Sequence, residues 1–193
     1  MQGIPIRIQR GMEFMGVEIE RKFTVNADFR PSGAGTEMAQ GYLSRDPRRT
    51  VRVRIAGGRG FLTIKGENHG AVRAEYEYEI PTAEAREMLA LCDAPLVEKT
   101  RYTETVAGRL WEIDVFRGAN EGLVIAEVEL ASADDDVVLP VWAGAEVTGI
   151  KRYYNASLIV HPYTLWTAEE KQGLSTALVD KSAPPPYEIW NKK

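Results

Sequence analysis

The stretch Val17-Glu18-Ile19-Glu20-Arg21-Lys22-Phe23 decides how the rest of the chain reads. Successive side chains of a β-strand point to opposite faces. One face here carries Glu18, Glu20 and Lys22; the other carries Val17, Ile19, Arg21 and Phe23. A strand with one charged and one mostly apolar face predicts an antiparallel sheet with a core on one side. The alternation recurs down the chain. In Val51–Ile55, Arg52 and Arg54 oppose Val51, Val53 and Ile55; in Phe61–Lys65, Lys65 opposes Leu62 and Ile64. Glu75, Glu77 and Glu79 oppose Tyr76, Tyr78 and Ile80, and Lys99 shares a side with Arg101. Glu112 and Asp114 oppose Trp111, Ile113 and Val115, while Glu127 and Glu129 oppose Ala126, Val128 and Leu130.

Working outward, the predicted strands are Val17–Val25, Glu37–Ser44, Thr50–Ala56, Gly60–Lys65, Ala74–Ile80, Glu98–Val106, Arg109–Phe116, Leu123–Leu130 and Ala145–Val147. Turn-forming residues separate several of them: Gly57-Gly58, Gly66–Gly70, Ala107-Gly108 and Asn120-Glu121-Gly122. Pro81-Thr82-Ala83-Glu84 opens a helical run through Leu91, with proline near the first turn and acids inside it. Tyr153–Val160 and Ala168–Leu178 are two further predicted helices. Residues 1–15 read as a leader without a period, with Met12 and Met15 as alternative starts. Residues 16–178 read as one domain, and 179–193 as an extended tail containing Pro184-Pro185-Pro186.

Composition narrows the function. The 193 residues carry 24 basic and 28 acidic side chains, a net charge of −4, so neither a nucleic acid nor an anionic membrane is an expected partner. One cysteine, Cys92, forms no internal disulfide, and two histidines are too few for a Cys/His metal cluster. No apolar run reaches the roughly 18 residues of a membrane span. A cytoplasmic setting is the expectation. There is no Gly-x-x-x-x-Gly-Lys-Ser/Thr loop to cradle a phosphate. Cys92 reads as a small packed side chain, His69 as solvated, His161 as a cap or packing residue, and Tyr42 as half-buried.

The signs of the charges carry the functional argument. A solvated face ordinarily mixes them. Here Arg52/Arg54 and Lys99/Arg101 are basic strands, while Glu77/Glu79 and Glu127/Glu129 are acidic ones. Like charges repel, so such segregation is tolerated best where ligands neutralise it. Basic strands suit a polyanion, and acidic strands suit hard cations with oxygen ligands. Together they suggest a metal-bound phosphate chain. A closed barrel would bring both sets to one interior, with apolar faces turned outward under helices.

The ordered set of motifs resembles the CYTH superfamily, the triphosphate tunnel metalloenzymes. Val17–Phe23 is similar to its Glu-x-Glu-x-Lys signature, Val51-Arg52-Val53-Arg54 to its paired-arginine strand, and Leu62-Thr63-Ile64-Lys65 to its lysine strand. Glu75–Pro81, Lys99–Tyr102, Trp111–Phe116, Ala126–Glu129 and Thr148–Tyr153 follow in order. The resemblance covers about residues 16–160. It implies an α+β fold in which an antiparallel barrel of about eight strands closes around a charged tunnel, with helices packed outside. Members include inorganic tripolyphosphatases, thiamine triphosphatases, class IV adenylate cyclases and RNA triphosphatases, and the pattern here looks most like the short bacterial tripolyphosphatases.

On that resemblance Glu18, Glu20, Asp114, Glu127 and Glu129 form the expected metal set for Mg²⁺ or Mn²⁺, with Glu77 and Glu79 as candidates for a second metal. Lys22, Arg52, Arg54, Lys65, Lys99, Arg101 and Lys151 form the expected phosphate set. Glu18, Glu20, Lys22, Glu127 and Glu129 are the expected catalytic group. The expected reaction is divalent-metal-dependent hydrolysis of inorganic triphosphate to diphosphate and phosphate. The alternatives are a nucleotide or thiamine triphosphatase, a class IV-type adenylate cyclase, and a polyphosphate-binding module without catalysis.

Overall fold

The computed structural model describes residues 17–67, 72–132 and 134–172, without the side chains of residues 17, 18, 72 and 73. The leader 1–15, His69 and the tail 179–193 lie outside that set. Nine strands follow one another: β1 (Val17–Val25), β2 (Thr36–Ser44), β3 (Arg49–Ala56), β4 (Arg59–Gly66), β5 (Val72–Ile80), β6 (Val97–Val106), β7 (Arg109–Phe116), β8 (Val124–Glu129) and β9 (Ala143–Glu146). Helix α1 (Thr82–Ala90) separates β5 from β6, and α2 (Asn155–Val160) and α3 (Ala168–Lys171) close the described chain. The tight turns form where the sequence places small residues. Gly57-Gly58 and Ala107-Gly108 all adopt positive φ, which joins β3 to β4 and β6 to β7 by two-residue connections.

The expectation of a closed barrel of about eight strands is corrected. The strands form one antiparallel nine-stranded sheet, ordered β5-β4-β3-β2-β6-β7-β8-β1-β9, and it does not close into a barrel. β1 and β5 are staggered and share only Val17↔Ala74, Glu18↔Arg73 and Ile19↔Val72. Beyond that short overlap β1 pairs with β8 over Glu20–Thr24, and β9 takes its other edge at Phe23 and Val25. A closing ladder would need that same edge of β1, so one seam stays open.

Helix placement is also more varied than expected. α1 does lie on the outer face, where Ala85 and Leu89 pack with Val53, flanked by Ile55 and Leu62. A Cβ on Gly60 would sit 2.7 Å from the Ala85 Cβ, so glycine lets the helix approach β4. On the outer face of β1, β7 and β8, Phe23, Trp111 and Trp142 form an aromatic cluster, tilted and edge-to-face, with centroids 5.5 and 5.4 Å apart. Each such buried ring contributes about 1.5–3 kcal/mol. The C-terminal segment behaves differently. Directly paired antiparallel residues share a face, so Tyr42 (opposite Arg52), Phe116 (opposite Lys99) and Ile125 (opposite Asp114) belong to the charged side of the sheet. These three pack with Tyr153, Leu158, Ile159 and Trp166, so the segment after β9 caps one end of the charged face. Buried Asn120 helps dock it, its Oδ1 accepting from the Tyr163 backbone N–H at 2.8 Å.

Candidate active site

Beyond the end capped by the C-terminal segment, the charged face is still largely covered. Lys22, Arg52, Lys65, Lys99 and Asp114 are each under a tenth exposed. The sheet curls so that its own side chains enclose one another, and two groups of charges result.

The first group sits on β3, β4 and β5. Pairing places Arg52 beside Thr63 and Thr63 beside Glu77; one step along, Arg54 meets Phe61 and Phe61 meets Glu79. Glu77 is the hub. Both its oxygens accept from Arg54 Nη2 at 2.9 Å, and Oε2 accepts from Arg52 Nη2 at 3.3 Å and Thr63 Oγ1 at 2.9 Å. Lys65 pairs with Glu75 at 2.5 Å. Arg52 Nε and Arg54 Nε are buried and have no hydrogen-bond partner among the described residues. An unsatisfied buried donor is costly, and two on neighbouring guanidinium groups mark a place for an anion. Burial lowers the Arg54 pKa from its ordinary value, and repulsion from Arg52 adds to the effect. Arg101 and Glu112 also act on Arg54, so the two groups of charges share one interior.

The second group sits on β1, β6, β7 and β8. Cross-strand pairing sets Glu20 against Glu129, Lys22 against Glu127, Glu112 against Glu127, and Arg101 against Asp114. Lys22 bonds Glu127 and lies 2.8 Å from Glu20. Arg101 bonds Asp114 at 2.6 and 2.7 Å, Glu127 at 3.0 Å, and Glu112. Lys99 also bonds Asp114, at the Oδ2 it shares with Arg101 Nη2. Burial pulls the Lys99 ammonium down to about 8, against the attraction of Asp114. For Glu127 burial acts upward, but Lys22, Arg101 and Lys99 more than reverse it and leave the carboxyl well below its ordinary range. Asp114 is lowered in the same way, Arg101 and Lys99 overcoming burial.

Six of the seven expected phosphate-binding residues therefore meet on one face. Lys151 does not join them: it is exposed, in a 3-10 turn over Lys151–Tyr153. Glu20, Asp114, Glu127 and Glu129 come together in the second group, and Glu18 lies on β1 with its side chain outside the description. Glu77 sits among arginines, and Glu79 pairs with Arg59 at the exposed end of β5. Among the described residues no three acids converge on one cation position. The acids instead face each other in pairs, Glu20 with Glu129 and Glu112 with Glu127. Like charges directly opposite are unfavourable alone. Mg²⁺ is commonly held by one or two carboxylates together with waters and substrate phosphates, so this donor set fits a divalent ion that arrives with a phosphate chain.

Three interior residues, Thr63, Gln40 and Phe61, escape a reading that follows charges only, and the expected site sets leave out a fourth, Glu112, although it alternates with Asp114. Thr63 and Gln40 are fully buried and uncharged. Phe61 shares the parity of Lys65, and Glu112 that of Asp114, so both were open to the alternation rule. Tyr42 lies buried on the same face and accepts from Gln40 Nε2 at 3.3 Å; elsewhere, exposed His161 lies 3.3 Å from Glu170, and Cys92 is partly buried. No helix among the described residues is long and apolar enough to cross a membrane.

Known proteins are similar to this chain. A CYTH domain model matches residues 16–163. An inorganic triphosphatase of Acetivibrio thermocellus is 48% identical over 151 residues, covering 77% of this chain and 97% of that protein. An inorganic triphosphatase of Nitrosomonas europaea is 39% identical over 148 residues, covering 73% and 95%. A crystal structure of an inorganic triphosphatase superposes with a TM-score of 0.56 at 36% identity, covering 74% of this chain and 94% of the other. The matches span nearly the full length of these relatives, and the chain belongs to the CYTH domain family.

Proposed function

We propose that the chain is a triphosphatase that hydrolyses inorganic triphosphate to diphosphate and phosphate with a divalent cation, Mg²⁺ or Mn²⁺. The observation that carries this reading is the pair of buried, unpartnered Arg52 and Arg54 Nε groups on a face that also gathers Lys22, Lys65, Lys99 and Arg101. Two close relatives are inorganic triphosphatases, which supports the same substrate. Water adds to a terminal phosphorus, one P–O anhydride bond breaks, and diphosphate leaves.

The residues divide the work. Arg52 and Arg54 are held at Nη2 by Glu77, which leaves each Nε edge to take a phosphate oxygen. Lys22, Lys65, Lys99 and Arg101 neutralise the chain along its length. Positioning and charge stabilisation are the main sources of rate in phosphoryl transfer. Glu127 stays ionised across the physiological range because three cations surround it, so it serves as an oxygen ligand rather than an acid. Glu18, Glu20, Glu127 and Glu129, with Asp114 behind them, are the residues that would hold the cation. When bound, such an ion supplies Lewis acidity at the phosphate oxygens and a lowered pKa for bound water.

A nucleoside triphosphate is the second reading, and one observation favours it. Phe61 lies on the charged side of β4, a place where a base could stack. Its ring already carries the Arg54 and Arg59 guanidinium groups at 5.1 and 5.3 Å, so a base would have to displace one of them. Phosphate release from inorganic triphosphate, ATP and thiamine triphosphate, each with Mg²⁺, Mn²⁺ or EDTA, separates the readings. EDTA-sensitive release from inorganic triphosphate above the other two is the expected result. Preference for ATP would replace it with the second reading.

A further inference from the structure

Thr63 is the one uncharged side chain in the row Lys65–Thr63 and Glu75–Glu77 that lines the first group. It is fully buried, directly opposite Arg52 on one strand and Glu77 on the other. Its hydroxyl accepts from Arg52 Nη2 at 3.1 Å and donates to Glu77 Oε2 at 2.9 Å. The direct Arg52–Glu77 contact is longer, at 3.3 Å, and the approach of Arg52 to Glu75 is longer still, at 3.6 Å. Arginine and carboxylate left to themselves favour a two-point fork. Arg52 makes none with Glu77: only Nη2 is engaged, and Nε remains without a partner among the described residues.

We propose that Thr63 is a positioning residue for substrate binding: its hydroxyl stands between Arg52 and Glu77 and keeps the Nε edge of Arg52 turned to the triphosphate. This rests on the triphosphatase reading of the same face. A hydroxyl can accept and donate at once, so it satisfies the cation and the carboxylate together. Valine has nearly the same shape and can do neither. With valine, Arg52 closes the fork onto Glu77 and withdraws from the substrate, while the fold keeps its packing.

The test is calorimetric titration of inorganic triphosphate in EDTA into the wild type, Thr63→Val, Thr63→Ser, Arg52→Lys and the Thr63→Val/Arg52→Lys double variant, with thermal melting of each. Thr63→Val should weaken binding about tenfold, the loss of one hydrogen bond to a charged group. Thr63→Ser should restore it to within about twofold of the wild type, within the scatter of additive effects. On the Arg52→Lys background Thr63→Val should cost nothing more, because the fork it releases no longer exists. Equal losses on both backgrounds, wild-type affinity in Thr63→Val, or no recovery with serine would overturn the proposal. Should Thr63→Val fail to fold, Thr63→Ala takes its place in the same cycle. A wild type that binds no triphosphate refutes the functional reading itself; tight wild-type binding with an unaffected Thr63→Val refutes only the role of Thr63.

Discussion

The two groups of charges on the enclosed face are built differently. On β3–β5 three cations, Arg52, Arg54 and Lys65, meet two carboxylates, Glu75 and Glu77. On β1 and β6–β8 three cations, Lys22, Lys99 and Arg101, meet five acids: Glu20, Glu112, Asp114, Glu127 and Glu129. The first group has positive charge to spare and buried donors without partners. The second has a surplus of oxygen ligands in facing pairs. On the proposed function, the first wall would take the phosphates and the second the cation, so that a metal-bound triphosphate would bridge them. The difference teaches that a charged interior can be specific through where its charges lie, with the two signs nearly in balance overall.

The comparison can be broken most severely at Glu77. Glu77→Gln leaves two buried arginines without their shared counter-charge, at a cost of about 3–5 kcal/mol. For a chain of this size that is a fall of roughly 6–20 °C in Tm, by the usual 2–4 °C per kcal/mol. Triphosphate should recover much of it, since the anion replaces the lost carboxylate. On the other wall, Glu127→Gln should keep the fold and lose about a hundredfold in metal-dependent turnover, ~2.7 kcal/mol of barrier. Activity near wild type would remove Glu127 from the cation site. Arg52→Ala should raise KM about 10–50-fold with a smaller change in kcat, the signature of a binding group.

Lys99 sharpens the comparison through pH. Its folded pKa of about 8 lies below the ordinary 10.5. As pH rises through about 8 the folded protein loses this cation, and kcat/KM should fall; Lys99→Arg keeps its charge and should remove that limb. Stability should move the other way. Between about 8 and 10.5 the unfolded chain binds this proton more than the folded one, so the lysine's contribution to stability rises with pH. Parallel trends would contradict the assignment. The smallest effect belongs to Glu79, two residues from the hub but exposed and paired with exposed Arg59. Glu79→Gln should leave Tm unchanged within error.

Much of this was legible because one rule, alternation, governs both the strands and the site. It identifies the strand carrying Val51–Ile55 and, with the same residues, the inward arginines Arg52 and Arg54. The rule does not reach Lys151, which joins the phosphate set by resemblance alone: it lies at the surface in a 3-10 turn, where strand alternation does not apply. Closure was illegible for another reason: whether β1 and β5 seal depends on a register between distant segments, and stagger leaves them three pairs. The C-terminal cap was hidden in plain apolar residues. Tyr42, Phe116 and Ile125 share the charged parity, yet a segment more than twenty residues beyond β8 is what covers them. Thr63 went unread because a search for charge passes over the hydroxyl that orients it.

The division between the walls is tested most directly by titrating inorganic triphosphate, in EDTA, into the wild type, Arg52→Ala and Glu129→Gln. The account predicts that Arg52→Ala binds at least about tenfold more weakly. Glu129→Gln, which removes a negative charge from the cation wall, should bind as tightly as the wild type or more so. Equal weakening in both variants, or wild-type affinity in Arg52→Ala, would contradict it.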